Sequence, residues 1–212
     1  MLLAADLASL SSVIGRIIEG SSRALLDGVG MNIFLTGYRA TGKSSVAGRI
    51  ADQLGWAWLD TDDQIEQLAG SSIAEIFAQQ GEAGFRELEH QVIQLSCQQD
   101  QQVLALGGGA IIAERNRELL QNKGPIIWLT AEAETILERL AADTSTRSRR
   151  PDLTAAGGID EIRHLLSERT PVYRESASFT VATDSLTPAE VADLIIEWIQ
   201  RQQASPDRGS ES

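Results

Sequence analysis

From Met31 onward, short apolar runs alternate with longer stretches of helical periodicity. Residues 32–36 (NIFLT), 56–59 (WAWL), 103–106 (VLAL), 125–129 (PIIWL) and 178–182 (SFTVA) are too short for stable helices and rich in β-branched or aromatic side chains, so they are predicted as strands. Between them, residues 43–54 read as a helix. Ser72-Ile73-Ala74-Glu75 and Thr187-Pro188-Ala189-Glu190 have the form of capping boxes and should each open a helix, the second running to about residue 201. Residues 82–98 form a longer helical pattern, with Phe85, Leu88, Val92 and Leu95 on one face. Another helix is predicted from about Thr130 to Ala141, and a further one should end around Arg169-Thr170-Pro171-Val172-Tyr173.

Strands alternating with helices imply an α/β fold in which a five-stranded parallel sheet is flanked by helices on both faces. Ligands of such sheets gather at the carboxyl ends of the strands. One domain over residues 31–201 is expected, with an extension at 1–30 and a polar, disordered tail at 202–212. Leu10, Val13, Ile14, Ile17 and Ile18 give the extension a helical spacing, but it carries no assigned chemistry. It lacks the basic start, apolar run and cleavage site of a secretory signal.

The charge narrows the function classes. A formal net charge of -12 disfavours a nucleic-acid binder, and any anionic substrate must be captured by local cations. No run approaches the roughly 18 apolar residues of a membrane span. The single cysteine, Cys97, precludes an intrachain disulfide and fits a reducing compartment; packing is its expected role. Trp56, Trp58, Trp128 and Trp198 are all expected in the core. His90 and His164 lack metal-ligand spacing and are expected on helix surfaces.

The most specific signal is Gly37-Tyr38-Arg39-Ala40-Thr41-Gly42-Lys43-Ser44, followed by Ser45, between a predicted strand and a predicted helix. In that context G-x4-G-K-S is a phosphate-binding loop. Its glycines let backbone N–H groups face phosphates, its lysine reaches the terminal phosphates, and its serine hydroxyl suits Mg²⁺. Leu59-Asp60-Thr61-Asp62-Asp63 follows the second strand. Asp63 reads as a helix N-terminal charge, whereas Asp60 and Asp62 can divide metal and substrate duties between them. Glu82 and Glu89 lie four before and three after Arg86, a spacing that ordinarily gives surface ion pairs. Gly107-Gly108-Gly109 follows the third strand and allows close backbone approach to a ligand. Residues 141–158 are polar and carry Arg147, Arg149 and Arg150; the segment is either a solvated basic loop or a lid.

The order G-x4-GKS, D-T-D, F-x3-GE-x2-FR, GGG, an Arg-Pro segment and R-x-P-x-Y resembles the shikimate kinases over about residues 31–200. The resemblance implies a P-loop kinase fold with a mobile lid at about 142–158, and transfer of the γ-phosphoryl group of ATP to the 3-hydroxyl of shikimate. It implies ATP contacts from residues 37–45, a catalytic Lys43, and Mg²⁺ held by Ser44 and Asp60. By the same resemblance Asp62 orients the attacking hydroxyl, Arg86 and Arg169 clamp the substrate carboxylate, Glu89 positions Arg86, and Phe77 and Phe85 wall the ring. Gly107, Gly108 and Gly109 form the substrate-binding turn. Arg150, next to Pro151, is the lid cation that contacts ATP and acts in catalysis, and Arg139 takes the adenine-flanking position. Asp152-Leu153 departs from the two leucines common at that point in the family. A cytoplasmic monomer is expected. The alternatives are a P-loop kinase for another hydroxylated acceptor, such as gluconate, and a non-catalytic nucleotide-binding module.

Overall fold

The computed structural model describes residues 30–142 and 158–204. The elements run β1 (Ile33–Thr36), α1 (Lys43–Leu54), β2 (Ala57–Asp60), α2 (Thr61–Ala69), α3 (Ile73–Ser96), β3 (Gln102–Ala105), a 3-10 turn (Ala110–Ile112), α4 (Glu114–Gln121), β4 (Ile126–Thr130), α5 (Ala133–Ala142), α6 (Gly158–Ser176), β5 (Phe179–Ala182) and α7 (Pro188–Ala204). The five strands form one parallel sheet in the order β2-β3-β1-β4-β5. The predicted fold class is therefore the observed one.

The central strand β1 is buried along its whole length. Its alternate residues serve two cores. Ile33 and Leu35 pack with Val46 and Ile50 of α1 and with Val191, Ile195 and Ile199 of α7. Phe34 faces the opposite layer, with Ile93 of α3, Leu120 of α4 and Tyr173 of α6. This two-sided burial explains why the strands read as continuous apolar runs. Asn32, fully buried at the entrance of β1, ties the sheet together: its Nδ2 donates to Gln99 O (2.7 Å) and its Oδ1 accepts from Gln102 N (3.0 Å).

Both capping boxes form. The Ser72 hydroxyl accepts from Glu75 N while the Glu75 carboxylate accepts from Ser72 N, and Thr187 and Glu190 repeat the pattern. The two helices expected from residue 72 and from residue 82 are a single span, α3, broken by Gly81 in the left-handed region (φ 68°). Of the two short helices, α2 was marked only by the N-terminal charge at Asp63, and α4 was not anticipated. Each is short and has too few apolar residues to display a stripe. Helix α6 does not stop at Pro171 but continues to Ser176. The fully buried Tyr173 anchors the turn beyond the proline, donating its hydroxyl to Gly108 O. Helix α7 reaches Ala204, so residues 202–204 are helical and not part of a tail. The extension, the rest of the tail, and residues 143–157 with Arg147, Arg149 and Arg150 lie outside the described residues.

Trp56 and Trp128 are buried, and Trp198 is half-buried against Phe179 (ring centroids 5.1 Å apart). Trp58 departs from expectation at 40% exposure, because β2 is an edge strand and this side chain lies along the flank of α1 beside Gly48. Cys97 is buried, and burial pushes its thiol up to about 11, consistent with packing. His164 is exposed as expected, whereas His90 is half-buried and bonded to Asn116.

Asn32→Ala should destabilise the fold by about 2 kcal/mol, since the buried Gln102 N–H loses its Asn32 acceptor and the half-buried Gln99 C=O keeps only Gln102 Nε2. Urea unfolding should show a lower midpoint with an unchanged m value; an unchanged midpoint would remove Asn32 as the clasp between β1 and β3.

Candidate active site

The loop after β1 is shaped by positions where a side chain has no room or the backbone turns left-handed. A Cβ on Gly37 (φ 139°) would lie 2.3 Å from Leu129 O. Gly42 (φ 91°) caps α1, and Ala40 between them also has positive φ (60°). Thr41 Oγ1 donates to Tyr38 O (2.8 Å), closing the loop on itself. Lys43 Nζ donates to Gly37 O (2.9 Å) and Tyr38 O (2.8 Å), so its ammonium is held at the mouth of the loop. The loop N–H groups and the start of α1 form an anion cradle. The Tyr38 side chain does not join it. The ring is buried among Ala133, Ile136, Ile162 and Leu165, and that burial raises its phenol pKa. Arg39 turns to the buried Glu161 on α6 (3.3 Å).

The acidic cluster begins at the last residue of β2. Asp60 Oδ1 caps α2 by accepting from Asp62 N (2.9 Å), while its Oδ2 accepts from Ser44 Oγ (2.5 Å). One carboxylate thus joins α2 to the phosphate loop. The Ser44–Asp60 pair offers two oxygens beside the cradle, a donor set that suits Mg²⁺, which completes its shell with phosphate oxygens and water. Thr61 is fully buried and its hydroxyl accepts from Gly107 N (2.8 Å), fastening the acidic cluster to the glycine turn after β3.

That turn is where the candidate residues converge. A Cβ on Gly107 would lie 2.7 Å from Asp62 Oδ1 and 3.3 Å from Glu89 Oε1. On Gly109 it would lie 2.8 Å from both terminal nitrogens of Arg86. On Gly108 it would lie 3.4 Å from Gly37 O and 3.9 Å from Arg169 Nη1. Arg169 also donates to Gly108 O at 3.4 Å. Sequence-distant Asp62, Arg86 and Arg169 are thereby brought around one short backbone segment, with the phosphate loop directly behind it.

Arg86 is fixed before any ligand arrives. Its Nη1 donates to Glu89 Oε2 (2.8 Å), and Glu89 is only 1% exposed. Glu82 pairs with it more loosely (3.3 Å) and is largely exposed. Burial works against the Arg86 charge, but Glu89 and then Glu82 outweigh it and raise its pKa. The guanidinium stands 5.3 Å from the Phe85 ring centroid, and Phe85 stacks on Phe77 at 4.7 Å. Phe85 is buried in a cluster with Ile65, Ile73, Ile76 and Val92, leaving Phe77 the more accessible ring.

A cavity of about 240 Å³ opens on the other side of the phosphate loop, lined by Ala40, Gly42, Val46, Arg139, Thr183 and Pro188 among others. Arg139 crosses it, donating to Ala40 O (3.3 Å), Thr183 Oγ1 (3.0 Å) and Thr183 O (2.6 Å). Sequence reading missed Thr183, Thr61, Glu161 and Tyr173. Tyr173 and Thr61 each had one visible cue, their places in R-x-P-x-Y and D-T-D; Thr183 and Glu161 had none. Ser45 lies beside Ser44 at the start of α1, on the wall of this cavity.

Comparison with known proteins agrees with this geometry. A family model described as shikimate kinase matches residues 39–200. A curated shikimate kinase of Rhodopirellula baltica is 41% identical over 166 residues, covering 78% of this chain and 89% of the relative. That of Symbiobacterium thermophilum is 37% identical over 179 residues, covering 84% of this chain and all of the relative. Among solved structures, a shikimate kinase from Acinetobacter baumannii in complex with shikimate superposes with a TM-score of 0.77 at 34% identity, covering 84% of this chain and 97% of that one. With the loop, the acidic cluster and the glycine turn all placed as the motif order requires, the chain belongs to the shikimate kinase family.

Proposed function

We propose that this protein transfers the γ-phosphoryl group of ATP to the 3-hydroxyl of shikimate, giving 3-phosphoshikimate and ADP on the route to chorismate and the aromatic amino acids. The observation that carries the reading is the convergence at residues 107–109. A carboxylate, two guanidiniums and the phosphate loop surround one turn, which is what an acceptor bearing both a hydroxyl and a carboxylate requires.

The loop N–H groups and Lys43 receive the phosphates of ATP, and the cavity between Arg139 and Pro188 receives the adenine. Ser44 and Asp60 would hold Mg²⁺, whose charge offsets that of the phosphates. Arg86 and Arg169 grip the substrate carboxylate, each able to present two parallel N–H groups to it. Asp62 accepts a hydrogen bond from the attacking hydroxyl and aims it at the γ-phosphorus. Because the transition state is loose, positioning and charge stabilisation supply most of the acceleration. Phe77 and Phe85 border the ring, and Arg150 brings a cation over the transferring group as the lid segment excludes competing water.

ADP release from ATP and Mg²⁺ should depend strongly on shikimate. Asp62→Asn should lower kcat by about 10²-fold or more, since it removes the acceptor of the hydroxyl proton. A folded, ATP-binding protein with no shikimate-dependent release would defeat the assignment. Arg86→Lys should raise the KM for shikimate by roughly ten-fold or more, because an ammonium cannot reproduce the planar fork, while the KM for ATP stays within about two-fold. The methyl ester of shikimate should be a poor acceptor for the same reason, and equal turnover of acid and ester would argue against a carboxylate clamp.

A further inference from the structure

Behind the glycine turn, every carbonyl of the 3-10 turn is taken by a side chain of α4. Asn116 Nδ2 donates to Ala110 O (2.8 Å), and Arg117 Nη1 donates to Ile111 O (3.0 Å) and Ile112 O (2.8 Å). Asn116 is fully buried. Its Oδ1 lies 2.8 Å from Nδ1 of His90 on α3.

The direction of this relay follows from the donor inventory. A carbonyl can only accept, so Asn116 must present its NH2 group to Ala110 O. Its Oδ1 then faces His90 and also can only accept. His90 must therefore carry a proton on Nδ1, whatever its charge. His90 sits one helical turn after Arg86 and next to Glu89, the partner of Arg86. The links run from Arg86 along α3 to His90, across to Asn116 and to Ala110 O, and the adjoining Gly109 lies so near the Arg86 guanidinium that a Cβ on it would be 2.8 Å from both terminal nitrogens. Gly109 therefore has no room for a side chain on the Arg86 side.

We propose that His90 and Asn116 are positioning residues for the acid-binding half of the site, fixing Gly109 and the Arg86 guanidinium relative to each other. The inference rests on shikimate as the acceptor. It separates the two substrates, because the relay touches the turn and α3 but not the phosphate loop. Loss of the relay should therefore weaken shikimate capture and spare ATP.

The test combines a spectroscopic and a kinetic readout on the full chain. In ¹⁵N-histidine spectra at alkaline pH, His90 should be held as the Nδ1–H tautomer, with exposed His164 as the internal reference; Asn116→Ala should release it. Asn116→Asp keeps the acceptor toward His90 but sets a carboxylate oxygen against Ala110 O. It should raise the shikimate KM on the order of ten-fold with the ATP KM within about two-fold. His90→Leu should shift the same parameter in the same direction, and His90→Asn, whose Nδ2 can stand in for Nδ1, should restore most of it. An Nε2–H tautomer in the wild type overturns the relay. So does an unchanged shikimate KM in both Asn116→Asp and His90→Leu, and so does a parallel rise in both KM values. A wild type that binds ATP but does not phosphorylate shikimate sinks the acceptor assignment instead, and the tautomer then decides the relay alone.

Discussion

The site depends on one stretch of backbone, residues 107–109, whose two outer positions have no room for a side chain. At Gly107 and Gly109 a single added carbon would enter the space of Asp62 and of the Arg86 guanidinium. At Gly108 it would come into contact with the carbonyl of Gly37 without displacing it. Carboxylate, guanidiniums and phosphate loop can surround a small ligand only because the chain passes between them as bare peptide. The parallel sheet puts this turn in place: β3 lies beside β1, so the end of β3 emerges next to the phosphate loop that follows β1.

Neighbouring elements hold the turn from several sides. Thr61 takes the N–H of Gly107, Tyr173 and Arg169 reach the carbonyl of Gly108, and Asn116 takes the carbonyl of Ala110. These contacts come from α2, α6 and α4, so three helices converge on the same few peptides. The irregularities elsewhere make sense in that light. Helix α6 carries Pro171 in its interior, at a cost in backbone hydrogen bonding, and the same helix delivers both Arg169 and Tyr173 to Gly108.

Much of this was legible in the sequence wherever the signal was local. The phosphate loop has fixed spacing between a strand and a helix, and the Arg86–Glu89 pair follows from i,i+3 geometry. The three inner strands were visible because both faces are buried, and the edge strands β2 and β5 because their short runs are rich in aromatic and β-branched residues. Helix α4 was not, and α2 showed only its N-terminal charge at Asp63, since both segments are too short to display an apolar stripe and only α2 has a side-chain cap, Asp60. Trp58 was misplaced because hydrophobicity alone does not distinguish an edge strand from a central one. Asn116 and Glu161 left no trace at all: each acts through a partner on another element, His90 in one case and Arg39 in the other. A buried polar residue whose partner is remote in sequence looks like any surface residue until the fold brings the two together.

The charge distribution makes the same point about function. The chain carries a net charge of -12, so its overall field opposes the approach of two anionic substrates. Over distances beyond about 8 Å, physiological salt screens that field, leaving capture to groups inside the site. Arg86 and Arg39 are both held by carboxylates that are themselves almost fully buried, Glu89 and Glu161. Such pairing lowers the local net positive charge, so its benefit cannot be stronger attraction. Under the proposed function its benefit is orientation: a guanidinium whose rotamer is already fixed would lose less entropy when the substrate arrives. The buried glutamates thus trade part of the electrostatic pull for geometry, which suits a phosphoryl transfer governed mainly by alignment.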